Sequence, residues 1–423
     1  MSGKARPVPV RHGLLTPGVA LLSAVALAGL AAGLYRFIFG LGAATNLSNQ
    51  YPWGIWIGVD VASGVALAAG GFTSAAVAHI FHRHKYEALM RPALLTAMLG
   101  YTFAVFGLMA DLGRYYNIWH PVWPGMWQGN SVLFEVAMCV MVYLNVLYIE
   151  FMPMVCERFI GRVGLPGPLS RLNTPVESLL RLAQGVLSRH LAVFIIMGVV
   201  LSCMHQSSLG SLLLIAPYKV NPLWYTPALP LLFLLSAVAA GFSIVIFESL
   251  LVSWTLNRKP EMRLLTPYSR FALFFLGVYG VVRFSDFFIR EAHTHLPGSG
   301  FAGKVFLAEI GLGIALPFLM LLSERVRRSP RLLLAAVGCV VGGVLMNRVD
   351  IFLVAFRPPY AESAYLPSLS EILVTTGLVA ALILAYRVCI TVFPVLHDGE
   401  AETAEVSGPA PAPPLGRTEP HEA

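Results

Sequence analysis

Few side chains in this sequence are ionisable, and most of its chemistry depends on where those few sit. Eleven of them fall just inside one end of long apolar runs: Arg36, Asp60, Asp111, Arg114, Glu135, Arg283, Asp286, Glu309, Arg348, Asp350 and Glu371. Three pairs combine opposite charge with helical spacing: Asp111/Arg114, Arg283/Asp286 and Asp286/Arg290. Such spacing puts both members on one helix face. A neutralised structural network accounts for any one pair, whereas so many contributing runs argue for a functional set. Deeper in apolar sequence lie Tyr101, Asn145, His205 and Glu248. With Glu135 they outline a discontinuous proton route, because carboxyl and imidazole groups exchange protons near neutral pH when their surroundings shift them. Two plainer readings stay open. Glu248 is also explained as a buried acid bonded to a backbone carbonyl, and His205 as a satisfied core histidine.

The stretch NQYPWGIWIGVD brings Trp53 and Trp56 within a short distance of Asp60. It reads either as an interfacial aromatic belt or as a slot for a flat aromatic ring with which Asp60 trades a proton. The residues chosen for such a ring are Trp53, Trp56, Asp60, Asp111 and Arg114, with Asp286 as a further member.

These residues need a scaffold, and composition identifies it. The chain has 423 residues, of which 57% are hydrophobic and 12% charged. Soluble domains carry about 25% charged residues, so a soluble enzyme and a disordered chain are both excluded. The net charge of +7 is scattered between apolar runs, which argues against a nucleic-acid partner. Ten apolar runs are long enough to span a bilayer: 15–43, 54–81, 92–113, 131–155, 190–216, 225–254, 266–290, 301–323, 332–356 and 368–394. The expected fold is an all-α integral membrane protein of ten helices in contact with membrane lipid. One alternate set of connections holds nineteen lysines and arginines. The other holds four: Arg114, Lys219, Arg290 and Arg357. By the positive-inside rule both termini are cytoplasmic, and the acidic ends of the runs face outward.

The longest internal loop, 157–189, contains SLLRLAQGVLSRH, which suits a short helix lying on the membrane surface. Residues 1–396 form the membrane domain. Residues 397–423 form an acidic Pro/Ala-rich tail expected to be disordered. Gly54/Gly58 and Gly338/Gly342 have the spacing of close helix packing. The five cysteines include no CxxC pair, so they read as packing residues and not as ligands of an iron–sulfur cluster. Only His79, His190 and His205 fall within the spans, the first two at inner ends and His205 well separated in depth, so no haem is expected.

Three stretches carry a family resemblance: NLSNQYPWGIWIGVDVASGVALAAGGF (46–72), RPALLTAMLGYTFAVFGLMADLGRYYNIW (91–119) and MWQGNSVLFEVAMCVMVYLNVLYIEF (126–151). They resemble the NrfD/polysulfide-reductase membrane-subunit family, and within it the hydrogenase-2 (HybB-like) branch. The resemblance implies two packed helical bundles without a redox metal of their own, in a bacterial inner membrane. It implies periplasmic partners: a ferredoxin-like iron–sulfur subunit and the small and large subunits of a hydrogenase. It also implies a quinone, menaquinone being the expected type, near the outer face. The positions tied to proton movement in that branch match Tyr101, Glu135, His205 and Glu248. Other readings remain: the equivalent subunit of a polysulfide, nitrite or other molybdoenzyme or cytochrome complex, a structural anchor without a quinone site, and, from another class, a proton-coupled secondary transporter.

Overall fold

The protein is described here from a computed structural model covering residues 7–10, 13, 16–361 and 363–397. Among these, ten helices are long and apolar enough to cross a membrane. They are α1 (Pro17–Phe39), α2 (Trp56–Ile80), α3 (Glu87–Asp111), α4 (Val132–Phe159), α5 (Asn173–Ser211), α6 (Leu229–Thr255), α7 (Met262–Ile289), α8 (Gly300–Leu322), α9 (Pro330–Ala355) and α10 (Leu369–Val392). Several begin on the signals that helices use. The Thr16 hydroxyl caps α1 and the Ser131 hydroxyl caps α4, while Ser368 and Glu371 form a reciprocal capping box on α10.

Helices α2–α5 and α6–α9 form two packed bundles, and α1 pairs with α10 along the side of α2 and α3. The core around α2 and α3 contains Val61, Leu95, Tyr101, Tyr143 and Leu147. The core around α6 and α7 contains Phe242, Ile246, Tyr268 and Leu276. Helix α2 is the hub. Its sequence is rich in Gly and Ala, and 83% of its most apolar window is buried inside the protein. Its backbone is not a uniform α-helix: Trp56–Ser63 and Ala76–Ile80 are wound as wide π turns. Such turns are rare and concentrate at functional sites, because one extra residue in the turn re-aims the side chains beside it. Matching π turns occur in α8 at Gly311–Ala315 and in α9 at Asp350–Ala355.

The first and last described segments meet at one end of the bundle. Strand β1 (Pro7–Val8) pairs antiparallel with β2 (Leu396–His397). We call this the terminal end. At the distal end, the loops after α1, α5 and α9 join: Asn221 N donates to Ala355 O at 2.8 Å, and Gln50 Nε2 donates to Tyr360 O at 2.9 Å. The tail expected at 397–423 lies outside the described residues except for His397.

Two expectations need correction. SLLRLAQGVLSRH is not a separate surface helix: it is the first half of α5, a continuous helix of 39 residues. At about 1.5 Å per residue such a helix is roughly 58 Å long, far more than the ~30 Å apolar layer. Its polar half therefore extends beyond the apolar layer at the terminal end. The tightest helix contacts are also not those the glycine spacing suggested. Gly342 has open space beside it, Gly58 and Gly338 are in ordinary contact, and Gly54, which is tight, meets the Tyr365 and Leu47 side chains and not another helix. The backbones touch instead at Gly313/Gly343 and at Gly29/Gly377, where a Cβ on Gly29 would lie 2.5 Å from Gly377 Cα.

Gly29→Val should therefore force α1 and α10 apart. Overpacking of this kind costs about 1–3 kcal/mol, read as a clear drop in the thermal unfolding temperature of the purified protein in detergent. Gly33→Val, four residues on and with nothing within 4 Å, should leave that temperature nearly unchanged. Equal behaviour of the two variants would argue against this packing.

Candidate functional site

The wide first turns of α2 carry Trp56 and Asp60 into the interior at the distal end. Trp56 is fully buried, and its indole Nε1 donates to Glu371 O at 3.1 Å. Asp60 Oδ2 accepts from Thr375 Oγ1 at 2.6 Å. The space for Asp60 comes from α3: a Cβ on Gly107 would lie 2.5 Å from Asp60 Cβ. Arg36 enters from α1 and is 1% exposed. Its Nε donates to Ala110 O at 2.6 Å and its Nη2 to Leu112 O. These are carbonyls at the C-terminal end of α3, where the helix dipole favours a cation.

Arg36 also interacts electrostatically with Asp111, whose Oδ1 is buried without a hydrogen-bond partner among the described residues. Glu371 completes the group. Its Oε1 accepts from Tyr365 Oη, and its Oε2 accepts from Asn46 N at 3.1 Å and Ser368 N at 2.8 Å. Tyr365 lies in the loop before α10; burial, together with its bond to the Glu371 carboxylate, holds its phenol pKa well above the ordinary range. Asp60, Asp111 and Glu371 thus lie at one end of their helices, with Asp111 under the influence of both Arg36 and Glu371 and with Asp60 bonded to Thr375.

A second group lies deeper. Tyr101 on α3 and His205 on α5 are fully buried, and Tyr101 Oη is hydrogen-bonded to His205 Nε2. His205 Nδ1 lies 2.8 Å from Leu201 O. This arrangement assigns the neutral imidazole proton to Nδ1 and leaves Nε2 to accept from the phenol. Tyr143 on α4 packs edge-on to Tyr101, with ring centroids 4.8 Å apart. Nearer the distal end, Ser208 Oγ donates to Glu135 Oε1 at 2.5 Å. Towards the terminal end, Glu248 on α6 faces Thr96 and Tyr386, and its Oε1 is buried without a hydrogen-bond partner among the described residues. Helix α3 serves as a ruler: Gly107 faces Asp60, Tyr101 meets His205 and Thr96 faces Glu248. At 1.5 Å per residue these levels are about 9 and 7.5 Å apart.

A third group fills the second bundle. Glu309 Oε2 accepts from Trp224 Nε1 at 2.7 Å, and its Oε1 accepts from Asn347 Nδ2 at 2.8 Å, with Arg283 at 4.0 Å. Arg348 binds Asn347 Oδ1, Ser236 Oγ and Phe233 O. The group is heavily cross-bonded, as buried charge requires.

Of the six residues chosen for a flat ring, Trp56, Asp60 and Asp111 converge. Trp53 stands beside them, its ring against Phe352 and Phe356 with centroids 6.0 and 5.7 Å apart. Arg114 does not join them: α3 ends at Asp111, Leu112 is extended, and Arg114 is exposed. The helical-spacing argument for Asp111/Arg114 fails because the helix stops. Asp286 also lies elsewhere, held by Thr226 Oγ1 at 2.6 Å and Arg290 at 3.0 Å. Of the three spaced pairs only Asp286/Arg290 is an ion pair, since Arg283 turns to Glu309. Asn145 faces outward and bonds its own helix at Met141 O, so it leaves the proton route. Sequence reasoning noticed Arg36 and Glu371 but did not place them in the site, and it missed Thr375 and Tyr365 altogether. Glu371 had a local signal, the capping box. Arg36 had none, because its partners are carbonyls of another helix.

The fold and these clusters define a polytopic helical membrane protein with buried ionisable groups arrayed at several depths. The polysulphide reductase, NrfD family model matches residues 43–356, and the chain belongs to that family. It is 35% identical over 364 residues to the probable Ni/Fe-hydrogenase 2 b-type cytochrome subunit of Escherichia coli K12, covering 85% of this chain and 88% of that one. It is 26% identical to the menaquinone reductase integral membrane subunit of Nitratidesulfovibrio vulgaris, covering 85% and 87%. It is 23% identical to a selenate reductase subunit of Mesobacillus selenatarsenatis, covering 89% and 93%.

One relative's name mentions a b-type cytochrome, and a haem of that type needs two histidines free to ligate it. Both nitrogens of His205 are engaged, and His190 is exposed. His79, the third in-span histidine among the described residues, lies in the last wide turn of α2 at the terminal end.

Arg36→Gln should remove the fork that ties α1 to the end of α3. Leaving the two carbonyls and Asp111 without it should cost about 1–3 kcal/mol. Thermal unfolding of the purified protein checks this, and an unaltered unfolding temperature would count against the bridging role.

Proposed function

We propose that this chain is the quinone-reactive membrane subunit of a periplasm-facing respiratory oxidoreductase in a bacterial inner membrane, with a [NiFe] hydrogenase as its catalytic partner. In this reading a periplasmic ferredoxin-like iron–sulfur subunit and the hydrogenase small and large subunits dock at the distal end. Quinone, of the menaquinone type, takes up electrons there. The observation that carries the reading is the distal group: Trp56 bonded to the Glu371 backbone, Asp60 bonded to Thr375, and Asp111 beside both Glu371 and Arg36. Its support from relatives is the naming of one as a hydrogenase-2 subunit and another as a menaquinone reductase subunit.

Reducing a quinone takes two electrons and two protons. This chain's residues handle the protons. Trp53 and Trp56 wall a flat ring, Asp60 presents a proton to a ring oxygen, and Thr375 fixes the Asp60 carboxyl in place. Arg36 offsets part of the negative charge that builds up as Asp60 and Asp111 give up protons. Tyr101, His205, Glu135 and Glu248 resupply those protons from the terminal side, which is cytoplasmic in this reading. Protons drawn from that side for electrons delivered at the other make the step electrogenic. Each charge moved across 100 mV is worth about 2.3 kcal/mol, so the side of uptake decides whether the complex builds the gradient.

A selenate reductase subunit among the relatives favours a second reading, in which the partner is a molybdoenzyme acting on another acceptor. Metal analysis of the complex co-purified with this chain separates the two: nickel supports hydrogenase, molybdenum the alternative.

Asp60→Asn, Glu135→Gln and Glu248→Gln should each leave the complex assembled while lowering quinone-linked turnover. Positioned acids and bases contribute about 10²-fold or more, so losses of at least tenfold are expected in a membrane assay of quinone reduction. Normal turnover together with normal proton uptake in all three would sink the proton route.

A further inference from the structure

One half-buried carboxyl has no part in the route above. Glu150 sits on α4, seven residues beyond Tyr143 towards the terminal end. Residues seven apart on a helix share a face, and a helical side chain leans towards the helix N-terminus. Glu150 therefore leans towards Tyr143. The facing residue on α5 is Gly198. A Cβ there would lie 2.8 Å from Glu150 Oε1, 3.4 Å from Val146 Cγ1 and 3.5 Å from Tyr143 Cε2. The carboxyl and the tyrosine ring edge thus face one another across the space of a single missing methyl group. No hydrogen-bond or ion-pair partner holds Glu150 there among the described residues. A carboxyl in an apolar helix interface without such a partner is costly, and its usual justification is function.

Beyond the notch the chain of groups continues. Ser202 is fully buried and lies by both the Tyr143 and the Tyr101 hydroxyls, with its own Oγ uncommitted among the described residues. Tyr101 Oη is bonded to His205 Nε2. Glu248 faces a different wall, Thr96 and Tyr386. The two carboxyls therefore occupy different helix interfaces.

We propose that Glu150 is a proton donor to the Tyr101–His205 pair, acting through Tyr143 and Ser202 across the Gly198 notch. The Glu150 carboxylic acid gives its proton to Tyr143 Oη as that hydroxyl releases its own to Ser202 Oγ. Ser202 protonates Tyr101 Oη in the same manner, and Tyr101 passes its hydroxyl proton to His205 Nε2. One proton has then moved from Glu150 to His205, leaving a carboxylate and an imidazolium, and no electrons have moved. The inference rests on the proton-route reading and adds a second entrance to it.

The test uses the assembled complex in liposomes, measuring quinone reduction and dye-reported proton uptake. Glu150→Gln should lower kcat about tenfold and lower proton uptake from the terminal side, while leaving KM for a quinone analogue unchanged. Tyr143→Phe should behave alike. Full kcat and uptake in Glu150→Gln, alongside a loss in Glu248→Gln, would overturn the role of Glu150 and leave the route intact. Full activity in both variants would overturn the route itself. Should Glu150→Gln fail to assemble, Gly198→Ala decides, because it keeps the carboxyl but displaces it from the notch. A severalfold fall in kcat at unchanged KM supports the proposal, and an unchanged kcat overturns it.

Discussion

A charge inside an apolar layer must find its partners within the protein, and that requirement shapes most of this molecule. Arg36 from α1 binds carbonyls at the end of α3. Glu371 on α10 holds the loops before α2 and α10 through Asn46, Ser368 and Tyr365. Glu309, Asn347 and Arg348 bind α8 and α9 to α6 and to the loop before it. Most of these bonds join separate segments of the chain. In water they would be worth little. Where no solvent competes, losing one partner leaves the other costly and buried. The polar groups therefore act at once as functional candidates and as fasteners between helices.

Helix α2 makes this possible. Its small residues let five neighbours, α3, α5, α6, α9 and α10, approach it, so polar groups from different helices come within bonding distance. Gly70 and Gly71 sit against α6 and α3, and Gly241 of α6 sits against the α2 backbone at Ala69. Its π turns at Trp56–Ser63 carry Trp56 to the Glu371 carbonyl and Asp60 into the space that Gly107 leaves open. An α-helix of the same sequence would aim those side chains elsewhere. A similar use of absence recurs at Gly198, where a missing Cβ admits the Glu150 carboxyl.

Much of the fold was legible beforehand. Apolar runs of the right length give ten spans within a few residues of their observed limits, because burying a backbone in lipid leaves helix as the only option for an isolated segment. The exception was α5. An amphipathic stretch beside an apolar run does not say whether the chain bends between them, and here it does not. Part of the site was legible too. Tyr101 and His205 were chosen separately, 104 residues apart, and they meet. The pairs inferred from helical spacing fared worse. That inference assumes the helix continues, and α3 ends at Asp111. It also assumes that the nearest opposite charge along one helix is the nearest in space, and Arg283 finds Glu309 on another helix.

The sequence by itself determined that this is a ten-span helical membrane protein of the NrfD family, with its ionisable groups crowded towards one end. Those features follow from local quantities: the length of apolar runs, the motifs of 46–72, 91–119 and 126–151, and the place of each charge within its run. The tertiary structure alone decided which charges face one another. It brought Arg36 and Glu371 to Asp111 and Thr375 to Asp60, sent Asp286 to Arg290, turned Asn145 outward and set Glu150 opposite Gly198. The physical reason is that partner choice depends on which helices touch and at what rotation. That is settled by small-residue contacts and π turns distributed over the whole chain, and no window of sequence contains it.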